Sequence, residues 1–253
     1  MSKNSKPSFP KHCHICGRRL WGRGWVYAPD DMPDEPWPKL GRRQAIVVCR
    51  HCYETAPRCD VCGVPLGPEH VHLPDGRSIC ARCAQTAITG AAQAQALFER
   101  VTRIVTDQLG LGLNVGTSFT LVDPQHLRRL AAEAQPPLRG DPGKVIGLFA
   151  RQGRKRMVYV LSGLPQITLI QVSAHEWAHA WQGENCPLLR DTLVREGFAE
   201  WVAYKTLQTL GAVKKMALMR QQRGLYGEGL RKMLDLEQRN SASGVLDFCR
   251  RSE

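Results

Sequence analysis

The chain has 253 residues, 43% of them apolar and 23% charged, a balance that belongs to a soluble folded protein and excludes a disordered one. Its length supports one good-sized core with a small module, or two modest domains. No apolar run reaches the roughly 20 residues of a membrane helix, and the basic stretch 1–10 lacks the apolar core of a secretion signal, so a cytoplasmic protein without a membrane anchor is expected.

Cysteines dominate the first third. Eight of the ten fall in Cys-x-x-Cys pairs, Cys13/Cys16, Cys49/Cys52, Cys59/Cys62 and Cys80/Cys83. Two thiolates on one tight turn can share a tetrahedral Zn²⁺, and the 17 residues between Cys62 and Cys80 match a Cys₄ zinc spacing. Sequential pairing gives one structural zinc on Cys13, Cys16, Cys49 and Cys52, within residues 1–56. It gives a second on Cys59, Cys62, Cys80 and Cys83, within 57–86. A cross-braced pairing is the alternative. Disulfides are disfavoured in a reducing compartment. His12, His14 and His51 flank the first cluster and could replace a cysteine, but four cysteines make that unnecessary. The long gap before Cys49 holds a Trp/Pro/Asp-rich loop at 21–38, and 71–79 reads as a hairpin turning at Asp75-Gly76. Cys186 and Cys249 are unpaired and read as ordinary small residues.

The formal charge of +12 invites a nucleic-acid reading, which the metals weaken. Residues 1–90 carry 13 Lys/Arg against 8 Asp/Glu; eight zinc-bound thiolates and two Zn²⁺ bring that module to about +1. Much of the remaining excess lies from Lys214-Lys215 to Arg250-Arg251, where it reads as the solvated face of a helical stretch.

The remainder, 87–253, reads as α+β. An Ala-rich helix is predicted over 87–109, with Leu97, Val101, Ile104, Val105 and Gln108 along one side. A strand follows at 117–122, then a helix capped by Asp123 with Pro124 in its first turn. Residues 136–143 form a loop, and strands at 145–151 and 156–161 make a hairpin. Gly163-Leu164-Pro165 breaks the chain before a second helix. The expectation is a short antiparallel sheet followed by a helical half, with the strand beside that helix able to pair with an extended substrate.

The second helix carries the chemistry. His175-Glu176-Trp177-Ala178-His179 lies in a run, 166–182, free of Pro and Gly. Residues four apart share one helix face, so both imidazoles can bind one catalytic Zn²⁺, with Glu176 leaning toward the open position. Seventeen positions after His179, Glu196 opens another apolar-periodic helix. The connection Gly183-Glu184-Asn185-Cys186-Pro187 lets the helices fold back and bring Glu196 in as third ligand. Glu200, one turn on, can take a hydrogen bond from a ligating imidazole or stand at the surface as a solvated carboxylate. Glu176 is the general base, and Tyr204 and Tyr226 are candidates for the oxyanion donor. Trp177 and Trp181 are placed on the back face of the helix, with the cleft wall an alternative for Trp181.

Gly163-Leu164-Pro165, Ala174-His175-Glu176-x-x-His179-Ala180-Trp181 and Glu196-Gly197 together resemble the peptidase domain of the plant LIM-containing, ubiquitin-activated metallopeptidases that limit organ growth. Pro57-Arg58-Cys59-x-x-Cys62 with Asp75-Gly76-Arg77-x-x-Cys80-x-x-Cys83 is similar to the zinc-rich segment just before that domain. The likeness runs from about Cys13 to about Tyr204. It implies two LIM-like zinc units ahead of a zincin-like, gluzincin-type endopeptidase of protein substrates, and the Ala- and Arg-rich composition suggests a bacterial-type relative. It departs from the family in the short basic tail before Cys13, without ubiquitin-interacting segments, and at Glu200, where the family carries an amide. The position of the zinc module directly before the catalytic domain points to recognition of a substrate or regulatory protein partner. A zinc-stapled interaction scaffold with an inactive peptidase half is the alternative reading, and a nucleic-acid-binding zinc protein a weaker one.

Overall fold

The structure is a computed structural model and describes residues 11–21, 24–27, 46–134, 145–153 and 155–252. The expected loop at 136–143 lies outside those residues, as does most of the loop at 21–38. The chain divides into two compact units, Met1–Thr86 and Ala87–Glu253. Among the described residues no helix is long and apolar enough to cross a membrane.

In the first unit one local design occurs twice. The Cys13 N–H donates to the Arg18 carbonyl and the Gly17 N–H to that of Cys13; Cys59, Val64 and Gly63 repeat the pattern. Gly17 and Gly63 close these turns at φ 71° and 70°, a region that glycine enters without a Cβ clash. The later pair of each cluster starts a helix. Cys49 caps α1 (Arg50–Thr55) and Cys80 caps α2 (Ala81–Gln85), each Sγ accepting the N–H three residues on. Ahead of α1, strand β1 (Trp25–Tyr27) pairs antiparallel with β2 (Ile46–Val48). Ahead of α2, β3 (Val71–His72) pairs with β4 (Ser78–Ile79). The latter hairpin turns at Asp75-Gly76, where the Arg77 guanidinium holds the Asp75 carboxylate at 2.8 Å.

The second unit opens with β5 (Ala87–Ile88), so the helix expected from residue 87 starts at Ala91 as α3 (Ala91–Leu109). Its buried stripe is Ala94, Phe98, Val101 and Val105, which shares Val101 and Val105 with the expected face and takes in Ala94 and Phe98 in place of Leu97, Ile104 and Gln108. Strand β6 (Ser118–Val122) leads into α4 (Pro124–Glu133), whose first N–H groups are met by the Asp123 carboxylate as its position predicts. Strands β7 (Gly147–Gln152) and β8 (Lys155–Leu161) form the hairpin, and the sheet order is β6-β8-β7. Here the expectation of an antiparallel sheet is corrected. Strand β8 is antiparallel to β7 but parallel to β6, because the crossover through α4 is long enough to deliver the hairpin in either sense. A second correction concerns Gly163-Leu164-Pro165. Leu164 and Pro165 are not a simple break but a strand, β9 (Leu164–Pro165), paired with β5.

Helix α5 (Gln166–Asn185) is buried on nearly every side, as a helix through the middle of a core must be. Its last turn is fixed by Glu184, which pairs with the Arg156 guanidinium of β8 and accepts the Asn114 and Val115 N–H groups. Asp191 caps α6 (Thr192–Thr209), which starts three residues before Arg195. Helix α7 (Val213–Gln221) and α8 (Gly224–Arg251), bent at Ser241, complete the unit. Trp181 stacks on Phe198 at 5.3 Å, and Phe198 in turn meets Trp201. Trp177 packs edge-on to Phe98 and donates its indole N–H to the Leu111 carbonyl. Trp181 is 1% exposed, so it packs the back of the helix and does not line a cleft.

Helices α6 and α8 touch backbone to backbone. A Cβ on Gly197 would lie 2.6–2.7 Å from the Gly229 backbone, and one on Gly229 would lie 2.5 Å from Gly197 Cα. The glycine after Glu196 is therefore a packing requirement.

Candidate metal centre

Helix α5 presents His175 and His179 one turn apart, and α6 brings Glu196 against them. The two Nε2 atoms are 3.1 Å apart, and each is 3.4 Å from Glu196 Oε2. Ligand atoms at about 2.0–2.1 Å from a tetrahedral Zn²⁺ stand about 3.3 Å from each other, so the donor set fits that ion. The outer nitrogens are also held. His175 Nδ1 faces Glu200 Oε1 at 3.0 Å, and His179 Nδ1 faces Gln182 Oε1 at 2.9 Å. With both Nδ1 atoms so engaged, both Nε2 lone pairs point at the shared centre. Gln182 is in turn fixed by donating its Nε2–H to the Arg195 carbonyl at 3.0 Å. Arg195 reaches Glu196 Oε1, at 3.0 Å.

The electrostatics match this crowding. Burial pulls the His175 pKa down, but hydrogen bonds to the Glu196 and Glu200 carboxylates carry it well above its ordinary value. Burial opposes ionisation of Glu196, and the two histidines nonetheless hold its carboxyl well below the usual range. Glu176 differs: burial outweighs the nearby histidines and raises its pKa, the direction a general base requires. It lies against β7, where the Phe149 N–H donates to its carboxylate. A Cβ on Gly147 would sit 2.8 Å from Glu176 Oε1 and 2.2 Å from Val172 Cγ1, so that glycine keeps room for the carboxylate.

Of the two tyrosines singled out in the sequence, Tyr226 comes beside the histidines. Its ring, on α8, meets that of His175 edge-on at 6.0 Å; it is 40% exposed. Burial, with Glu196, Glu176 and Glu200 nearby, pushes its hydroxyl pKa up. Tyr204 instead belongs to the apolar core.

The cysteines gather as two sequential sets, Cys13, Cys16, Cys49 and Cys52, and Cys59, Cys62, Cys80 and Cys83, with the sulfurs of each within 4.8 Å of one another. Cys16 to Cys49 and Cys62 to Cys80 are both 3.8 Å, close to the ~3.8 Å edge of a tetrahedral zinc–thiolate site with Zn–S near 2.3 Å. Against its burial, the N–H groups of Cys16, Cys49 and Ile15 bring the Cys13 thiol down to about 6. Among the described residues no histidine joins either set; His14 Nδ1 accepts the Val47 N–H instead.

Sequence reasoning missed Gln182, Gly147 and the Phe149 N–H. Gln182 lies three residues after His179, a spacing that marks it as a neighbour on the helix face; the other two carry no signal in sequence. Cys186 and Cys249 are unpaired, as the sequence reading has them, and their sulfurs face each other at 3.5 Å in the core, beside Gln182.

No family model matches the chain, and no solved structure does. Among curated proteins it is 23% identical over 246 residues to Protein DA1-related 6 of Arabidopsis thaliana, covering 83% of this chain and 36% of that one. It is 25% identical over 190 residues to Protein DA1 of the same plant, covering 62% of this chain and 35% of that one. The chain thus spans about a third of the length of the curated relatives it matches. It is a distant relative of the DA1 proteins.

Proposed function

We propose that this chain is a zinc-dependent endopeptidase of protein substrates, with one catalytic zinc in the second unit and two structural zincs in a LIM-like first unit. The observation that carries the reading is the meeting of His175, His179 and Glu196 around one point, with the buried Glu176 carboxylate of the same helix as the histidines held against strand β7. A zinc ion held by those three would supply a Lewis acid for activating water and polarising a peptide carbonyl.

The chain's own groups do the rest. Glu176 takes a proton from the attacking water and hands it to the departing amine. The Tyr226 hydroxyl, kept protonated by its surroundings, is the donor for the oxyanion. Glu200 and Gln182 hold the two imidazoles in the tautomer that keeps Nε2 for the metal. Among the described residues strand β7 lies at the end of its sheet, with the Phe149 N–H directed at Glu176, and an extended substrate adds to it as a further strand. The zinc module binds the substrate or a regulatory protein partner.

Metal analysis combined with proteolysis of a denatured protein mixture tests this reading. After passage over a chelating resin, wild type and Glu176→Gln are expected to carry three tightly held zinc ions, and only wild type to cleave. Glu196→Ala is expected to carry two. Cleavage by Glu176→Gln, or a third zinc retained tightly in Glu196→Ala, would overturn the assignment.

A further inference from the structure

His70 and His72 lie far along the chain from the proposed catalytic ligands, yet their rings are arranged in the same way. Their Nε2 atoms are 3.1 Å apart, the ring centroids 4.6 Å, and the planes cross at 83°. For His175 and His179 the corresponding values are 3.1 Å, 4.7 Å and 82°. One pair is built on a helix turn. The other is built on residues two apart, His70 just before β3 and His72 at its end, with both rings on one side as the two-residue period of extended chain would place them.

The outer nitrogens are engaged here too. His70 Nδ1 lies 2.9 Å from the Gly67 carbonyl, which can only accept, so Nδ1 carries the hydrogen and Nε2 presents a lone pair. His72 Nδ1 lies 2.9 Å from Ser78 Oγ on the paired strand β4. A direct Nε2–H···Nε2 bond between neutral rings is the ordinary alternative. A straight bond of that length would hold the ring centroids about 5.4 Å apart. The observed 4.6 Å is shorter, as in the His175 and His179 pair, and fits two nitrogens that converge on a common third point.

We propose that His70 and His72 form a fourth metal site, outside the two cysteine sets and the proposed catalytic centre. Two neutral imidazoles select a borderline divalent ion such as Zn²⁺, Cu²⁺ or Ni²⁺ over Mg²⁺ or Ca²⁺. Both side chains reach solvent, so the remaining coordination positions are open to water or to a donor from a bound molecule, and the ion is exchangeable. Gly67 and Ser78 fix the ring orientations.

The test uses the full chain with its tight zinc ions in place, after passage over a chelating resin to strip weakly held metal. Calorimetric titration with Zn²⁺ is expected to show one further equivalent in wild type and none in a His70→Gln/His72→Gln variant that keeps its other zinc ions. Long-range ¹H–¹⁵N spectra of the wild-type imidazoles give a readout that needs no variant. The Nε2 signals of His70 and His72 are expected to shift together, in step with that equivalent. No further equivalent in wild type, equal uptake by the variant, or an equivalent bound without movement of these signals would overturn the proposal. None of these outcomes depends on peptidase activity, so the site stands or falls apart from the catalytic reading.

Discussion

A histidine four residues from another is common; what distinguishes His179 is that its outer nitrogen faces a buried amide, itself fastened to the next helix. Gln182 joins the imidazole to the Arg195 carbonyl, one residue before Glu196. Replacing it with Met keeps the volume and removes both polar contacts. Loss of such an outer partner typically lowers metal affinity about 10- to 100-fold, and chelator competition is expected to show that for Gln182→Met with the fold intact. An unchanged affinity would relegate Gln182 to packing. At Asp123 the His126 N–H, followed by that of Gln125, holds the carboxyl below its usual range. A depressed folded pKa adds stability that is present above the unfolded value near 3.9 and lost as pH falls through the folded one. Asp123→Ala is therefore expected to melt below wild type by the same margin at pH 7 and pH 5, with the gap narrowing as pH falls below about 3.9. A gap that does not narrow in acid would show that the charge is not the cause.

Among the elements, helix α5 was the most legible, since its ligand spacing and its freedom from Pro and Gly are local properties written directly in the residues. The Asp123 cap and the Asp75-Gly76 turn were legible for the same reason. Strand β9 was not. Leu164-Pro165 is too short to show a period, and its partner β5 lies at the far end of the unit, so only tertiary pairing makes it a strand. The direction of β6 relative to β8 was likewise set by a crossover and not by local pattern. The Glu196-Gly197 pair stood out in the sequence, but the reason for its glycine lay in α8. A methyl group at Gly197 meets Gly229 backbone, which cannot move aside as a side chain could. Gly197→Ala is expected to cost about 1–3 kcal/mol or more and, by shifting α6, to weaken zinc retention by Glu196. A denaturation midpoint equal to wild type would refute the close contact.

For the molecule as a whole, the two units differ in what holds them. The second encloses a broad apolar core of helices against a sheet. Around the first cysteine set the buried cluster is Cys13, Val48 and Cys52, too little to offset the entropy of ordering the chain without metal. Chelation is therefore expected to collapse the NMR dispersion of the described residues of the first unit while those of the second keep theirs. A first unit that stays folded after metal removal would contradict that division. The final helix has a larger part than its distance along the chain from the proposed ligands would give it. Near its start Tyr226 lies over His175, and near its end, beyond the bend at Ser241, Cys249 lies 3.7 Å from the amide that holds His179. One bent rod thus braces the surroundings of both imidazoles. A chain cut after Tyr204 would keep every proposed ligand and lose the wall behind them, like a lock with its pins in place and its housing removed.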